Sequence, residues 1–420
     1  DREDILSSLP IQKIPIPTGV AQNPKKGLPL EGIRILDFTR VRSGPMGTAV
    51  LSDYGADCIR IQSNTIEVLG AAGGRMPPHF DDTNRTKKSI ELNLKTAKAK
   101  EIFFNLVKQS DVVVENFTYM VMDNLGIGYE DLRKVKPDII LASMPPMGKS
   151  GPFAGWTTYG QQLMAFSGMS YLWGHSDAPM EAHAKIPYPD DAAAAQMVFS
   201  VLAALEHRDR TGEGQFIEVA QGEGLAYQLS PVYLDYLING RNWTPRGNWH
   251  PIAAPFGVYP AVGFDKWVAI SCETEAHWQG LVKALEQLEL LEDGRFATRE
   301  ARRENAETLD EIIMKWTQDR TAPQAAWGLQ YAGVPAYEVM TNEDVYHDTN
   351  LRARKWLQIG DFPGWPNAEY RTFPVFMSEL GDIQPTEMAR QGQHNHEVLG
   401  SLLGIPKQAV DLLIAEKVVY

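Results

Sequence analysis

The stretch IRILDF (33–38), followed by PMGTAVLSDYG (45–55) and CIRIQ (58–62), decides the fold. Two short runs rich in β-branched residues flank a longer amphipathic stretch, which predicts strand, helix, strand. Downstream the alternation continues with a helix over 95–109, a strand at DVVVE (111–115), a helix over 119–135 and a strand at DIILAS (138–143). Strands alternating with helices imply a mostly parallel sheet covered by helices, an α/β architecture.

The chain has 420 residues, 44% of them hydrophobic and 22% charged, which suits a globular protein of two or more domains. A formal charge of -13 argues against general nucleic-acid binding, which draws on clustered Lys and Arg. Neither cysteine, Cys58 or Cys272, has metal-ligand spacing, and both lie in apolar strand-like stretches. They fit a reducing compartment, and with no long apolar run the expected location is cytoplasmic, away from membranes. Neither GxGxxG nor a Walker loop occurs, so the sheet alone implies no nucleotide cofactor.

Residues 1–30, rich in Pro, Lys and polar side chains, read as an N-terminal extension. A large domain is expected over 31–224 and a smaller one over 225–330, where the texture turns aromatic and VGFDKWVAIS (262–271) resembles a hairpin. Helices are expected over 277–288 and 299–317. The tail, 331–420, ends in amphipathic helices at 396–403 and 406–416 and is expected to return to the large domain.

Asp190 and Asp191 follow Tyr188-Pro189 and precede AAAAQMVFSVLAALEHRD, a run of strong helix formers. Asp190 therefore falls at a helix N-terminus. There the macrodipole and free N–H groups favour an ionised carboxylate, the form a nucleophile needs. Asp is also a favoured N-cap residue, a role worth about 1 kcal/mol.

GIRILDFTRVRSGPMGT (32–48), LSDYGADCIRIQ (51–62), NRTKKSIELNLKT (84–96), VVVENFTYMVMDNLG (112–126), GKSGPFAGW (148–156), LAALEHRDRTGEGQ (202–215), RGNWHPIAAPFGVY (246–259), EAHW (275–278) and GVPA (333–336) occur in this order. Together they resemble the family III CoA-transferases, the CaiB/BaiF or formyl-CoA transferase-like proteins. The resemblance implies a Rossmann-like large domain, a smaller α+β domain and ring-shaped subunits interlocked as a dimer. It also implies transfer of CoA from an acyl-CoA donor, such as succinyl-CoA, to a carboxylic acid. Asp190 matches the nucleophile, with Asp191 as its nearest competitor. Val41, Arg42, Ser43, Asn116, Phe117 and Leu125 match CoA-binding positions, while Tyr159, Trp249 and His250 match the substrate pocket. Trp249 also reads as packing for a turn, and His250 as structural. The family needs no tightly bound cofactor and no metal, only CoA thioesters as substrates.

Departures from the family pattern fall at Ser63, Asn124 and Pro145, where cations near the CoA phosphates are common. Lys87, Lys88 and Lys149 are candidates to compensate. The departures raise a second reading, a half-site subunit completed by a homologous chain, as in hetero-oligomeric succinyl-CoA:aromatic-succinate (benzylsuccinate) transferases. A third, the α-methylacyl-CoA racemase branch, needs a histidine about where this chain has Tyr159, and tyrosine is a poor base at neutral pH.

Overall fold

The computed structural model describes residues 27–63, 82–183, 186, 188–362, 365–380, 383, 386 and 388–420. Most of the expected N-terminal extension lies outside them. The described residues fall into two compact units, a larger one of 27–170, 186–242 and 351–420 and a smaller one of 171–183 and 243–350.

The larger unit is built on six parallel strands: β1 (Arg34–Asp37), β2 (Asp57–Gln62), β3 (Lys88–Glu91), β4 (Val112–Glu115), β5 (Ile140–Ser143) and β6 (Phe216–Glu218), in spatial order β3-β2-β1-β4-β5-β6. Successive residues of the four central strands feed opposite cores, because side chains alternate across a pleated sheet. Leu36, Ile59, Val113 and Leu141 pack with Ile102, Phe103 and Leu106 of α2 (Ala97–Val107) on one face. Ile35, Cys58, Val112 and Ile140 pack with Val50 and Leu51 of α1 (Ser43–Asp53) and with Met197 and Val201 of a long later helix on the other. Both faces are covered, so the strands read as continuous apolar runs.

The expected helix over 119–135 is two short ones, α3 (Val121–Asn124) and α4 (Tyr129–Val135). Gly126 between them adopts φ +68°, a left-handed conformation that ends the first. Further on come α5 (Gly160–Phe166), the long helix α6 (Tyr188–Thr211), α7 (Gln221–Gln228) and α8 (Ser230–Asn239). The last two keep residues 225–242 in the larger unit, so the border falls at 243 instead of 225.

The smaller unit carries an antiparallel sheet of β7 (Phe256–Pro260), β8 (Trp267–Ser271) and β9 (Ala336–Glu338). VGFDKWVAIS is thus not a whole hairpin. Its first half is the turn, with Gly263 and Asp265 at positive φ, and β7 precedes it. α9 (Glu275–Leu285), α10 (Ala306–Thr317) and α11 (Ala322–Tyr331) share the sheet's apolar core. Because β9 pairs with β8, the unit extends to 350 and not 330. After 350 the chain forms a hairpin, β10 (Leu357–Phe362) and β11 (Trp365–Arg371), then α12 (Asn395–Leu403) and α13 (Lys407–Ala415). These two helices pack on the first core of the large sheet.

One buried ion pair ties the first turns of this sheet together. Lys87 Nζ donates to Asp37 Oδ2 (2.9 Å), to the Pro45 carbonyl (2.9 Å) and to Thr48 Oγ1 (2.8 Å). Asp37 also accepts from the Thr39 N–H (2.8 Å) and from Thr48 Oγ1 (2.7 Å). Burial pushes the Asp37 carboxyl up, but the Lys87 charge and these hydrogen bonds outweigh it and hold the group below the usual carboxylate range.

Removing one partner strands a buried charge. Lys87→Met is expected to lower stability by about 3–5 kcal/mol in urea unfolding, and Asp37→Asn with Lys87→Met to recover part of the loss. A single-variant loss below about 1 kcal/mol would show the pair to be dispensable.

Candidate active site

Strand order reverses between β1 and β4, so the loops leaving their C-terminal ends diverge and open a crevice, the usual ligand site of such sheets. A cleft of about 500 Å³ lies there, lined by Val41, Arg42 and Ser43 after β1 and by Asn116 and Thr118 after β4. Thr157, Thr158, Tyr159, Asp190 and Gln221 also line it.

Asn116 fixes the loop after β1. Its Oδ1 accepts from the Arg40 N–H and its Nδ2 donates to the Arg40 carbonyl, both at 2.7 Å. Val41, next along, has φ +65° and a largely exposed side chain. Gly44 must be glycine, because a Cβ there would come within 2.5 Å of the Thr39 side chain.

Ser43, Gly160, Asp190 and Gln221 belong to the first turns of α1, α5, α6 and α7, so four helices present their N-terminal ends to the cleft. Free N–H groups and the helix dipoles make such a place favourable to anions.

Asp190 is the third residue of α6 and Asp191 the fourth, so both lie inside the first turn and neither is the cap. The two carboxylates have different surroundings. Arg42 Nη2 lies 3.0 Å from Asp191 Oδ1 and 3.4 Å from Oδ2. Asp190 accepts no hydrogen bond from any described residue. Burial pushes its carboxyl up, Arg42 pulls it down and Asp191 pushes it up again, leaving it at about 6. The helix end alone would favour a low value, so burial dominates. A group at that value is still mostly ionised at neutral pH.

Of the residues singled out from sequence, Val41, Arg42, Ser43, Asn116, Tyr159 and Asp190 line this one cleft. Phe117 does not: it packs on the core beside Phe38 and lies under the Arg40 guanidinium at 5.0 Å. Leu125 likewise packs on that core. Trp249 and His250 belong to the smaller unit, where Arg246 lies over Trp249 at 4.3 Å and His250 meets Phe256 at 4.8 Å.

Lys87 is spent in the buried pair with Asp37, Lys88 contacts Asp57 at 3.2 Å and Lys149 contacts Glu115 at 3.4 Å. Arg42 is the one cation lining the cleft among the described residues. Thr118, Thr157, Thr158, Gln161 and Gln221 were not singled out. Their only signal in the sequence is adjacency to Phe117, Tyr159 or a helix start.

The sequence model described as CoA-transferase family III matches residues 30–395. The acetyl-CoA:oxalate CoA-transferase of Acetobacter aceti is 32% identical over 77% of this chain and 83% of its own. The succinyl-CoA–D-citramalate CoA-transferase of Chloroflexus aurantiacus is 28% identical over 93% of this chain and 98% of its own. The succinyl-CoA–L-malate CoA-transferase beta subunit of the same organism is 27% identical over 93% and 98%. Among solved structures, a CaiB/BaiF family protein from Brucella suis superposes with a TM-score of 0.80 at 26% identity, covering 90% of this chain and all of that one. No described helix is long and apolar enough to cross a membrane. The chain belongs to CoA-transferase family III and is an enzyme of that family.

Proposed function

We propose that Asp190 is the nucleophile by which this chain moves CoA from succinyl-CoA to a second carboxylic acid. The observation that carries the reading is the contrast between neighbours: Asp191 is engaged by Arg42, while Asp190 stands in the same cleft with no hydrogen bond from a described residue.

In the first step an Asp190 oxygen attacks the thioester carbonyl. The C–S bond breaks, CoA leaves as thiolate, and a mixed anhydride joins Asp190 to the donor acyl group. The thiolate then attacks the Asp190 carbonyl, releasing the donor carboxylate and leaving an aspartyl-CoA thioester. An acceptor carboxylate displaces the thiolate to form a second anhydride. Thiolate attack on its acceptor carbonyl then yields the new acyl-CoA and frees Asp190. Each step trades one activated acyl bond for another, so no nucleotide is consumed. The helix N-termini around the cleft favour the carboxylates and thiolate that appear along this path.

The donor follows the relatives named for succinyl-CoA. Val41, Ser43 and Asn116 would face the thioester end of CoA. Against a racemase, no histidine lines the cleft among the described residues, and Tyr159 stands there instead.

We also propose that the chain acts as an oligomer, with a second copy or a homologous subunit. Phe199 on α6, Tyr227 on α7 and Tyr236, Leu237 and Ile238 on α8 are each more than half exposed, and large apolar side chains left open to water favour cover by a partner. One relative is itself a named subunit.

Asp190→Ala is expected to fold and to lose transfer by on the order of 10⁴-fold or more, as when other covalent nucleophiles are removed. Asp191→Ala, which frees Arg42 and removes a like charge beside Asp190, should cost roughly tenfold. Comparable losses in both variants would remove the distinction between the two carboxylates.

Transfer needs the ionised carboxylate, so kcat/KM should fall as pH drops through about 6. The same raised value favours the protonated native state, so stability is lost as pH rises through it. Asp190→Asn should therefore gain stability over wild type between pH 4 and 6, reaching on the order of 2 kcal/mol above that window. A pH-independent difference in thermal unfolding would contradict the burial of Asp190.

A further inference from the structure

A second buried acid serves the other half of the large sheet. Glu115, the last residue of β4, is 1% exposed. Its Oε2 accepts from the Phe117 N–H at 2.7 Å, and its Oε1 accepts from the hydroxyl of Ser143, the last residue of β5. Lys149 Nζ lies 3.4 Å from that same Oε1. Glu115 and Ser143 are also register partners across the two parallel strands.

These contacts reach the segments that leave β4, β5 and β6 for the cleft. A carboxylate bound to the N–H two residues on closes a tight turn, here across Asn116. Phe117 is held a second way, by its ring, which packs beside Phe38 and lies under the Arg40 guanidinium. Asn116 is therefore fixed on both flanks, with its amide on the Arg40 backbone, and Thr118 follows it into the cleft. After β5 the chain turns at Gly148, φ +82°, and returns Lys149 to Glu115. The Lys149 N–H donates to Glu218 Oε1 at 2.8 Å, at the end of β6 and shortly before Gln221 enters the cleft.

A leucine would fill the same space in a sheet covered on both faces, and buried ion pairs add little net stability over apolar side chains. What the carboxylate alone supplies is two acceptor oxygens that hold donors from two loops at one point. Glu115 does not itself line the cleft, so it acts on a ligand only through the residues it holds.

We infer that Glu115 is a positioning residue for the acyl-CoA: it fixes the turn that presents Asn116 and Thr118, and so sets how tightly the thioester end is held, without touching the reacting atoms. This rests on the proposed reading that Asn116 faces CoA and adds to it the group that keeps Asn116 in place.

Calorimetric titration of the purified protein with CoA tests the role, together with exchange of labelled succinate into succinyl-CoA. Glu115→Leu keeps the bulk but leaves the Phe117 N–H without an acceptor, and should weaken CoA binding by about tenfold or more, because a released turn misplaces the groups it carries. In exchange, its KM for succinyl-CoA should rise by about the same factor while kcat changes by less than about threefold. Glu115→Gln can still accept from the Phe117 N–H and donate to the Ser143 hydroxyl, so its CoA affinity should stay within about threefold of wild type. A residue that only stabilised the fold would show neither the split between KM and kcat nor the rescue by glutamine. Glu115→Ala, which leaves room for a water in place of the carboxylate, should weaken binding by about fivefold or more and serves if Glu115→Leu does not fold. Equal weakening by leucine and glutamine would overturn the positioning role. Wild-type CoA affinity in the Leu or Ala variant would overturn it too, and would leave transfer through Asp190 standing. No CoA binding by wild type would instead overturn the transfer reading, and the role of Glu115 with it.

Discussion

Asp37 and Lys87, both sealed from solvent, form the contact on which the site depends. Asp37 ends β1, Lys87 comes just before β3, and Lys87 also grips the Pro45 carbonyl and Thr48 in α1. The pair thereby fixes the turn that carries Val41, Arg42 and Ser43 into the cleft. Asn116 holds the same turn from the β4 side through two hydrogen bonds to the Arg40 backbone. A buried pair of this kind is a poor source of net stability compared with apolar packing. Its effect here is geometric: alternative paths for the loop would leave an unpaired charge inside the sheet.

On that frame, adjacent carboxylates acquire unlike environments. Asp191 meets a cation at the rim, while Asp190 loses water without gaining a hydrogen bond from a described residue. Burial outweighs the neighbouring arginine, and the resulting group is ionised at neutral pH yet poorly solvated. A desolvated carboxylate is a better nucleophile than one wrapped in water. The field of the surrounding helix ends offsets part of the cost of keeping it charged.

Much of this was legible in the sequence, for physical reasons that differ from residue to residue. The runs that became β1, β2, β4 and β5 announce themselves because a sheet covered on both faces needs unbroken β-branched segments. Asp190 stands out only through its distance from LAALEHRDRTGEGQ in the family resemblance, because carboxylates are common in the first turns of helices and mark nothing alone. β3 was missed because its four residues, KSIE, carry too little apolar pattern. The fate of Lys87 was hidden as well, since its burial depends on Asp37 fifty positions away. Phe117 and Leu125 sit in a family binding motif but pack inward, and spacing alone cannot tell a lining residue from the one behind it. Thr158 carries no sequence signal beyond its place next to Tyr159, and only the folded cleft marks it.

In the proposed reaction one carboxylate, and not its neighbour, takes up the activated group. Incubation with succinyl-CoA, trapping with hydroxylamine or borohydride, and peptide mass analysis test it most directly. A modification confined to Asp190 and dependent on the acyl-CoA is expected. A modification at Asp191 or at another residue, or none while exchange proceeds at full rate, would contradict it.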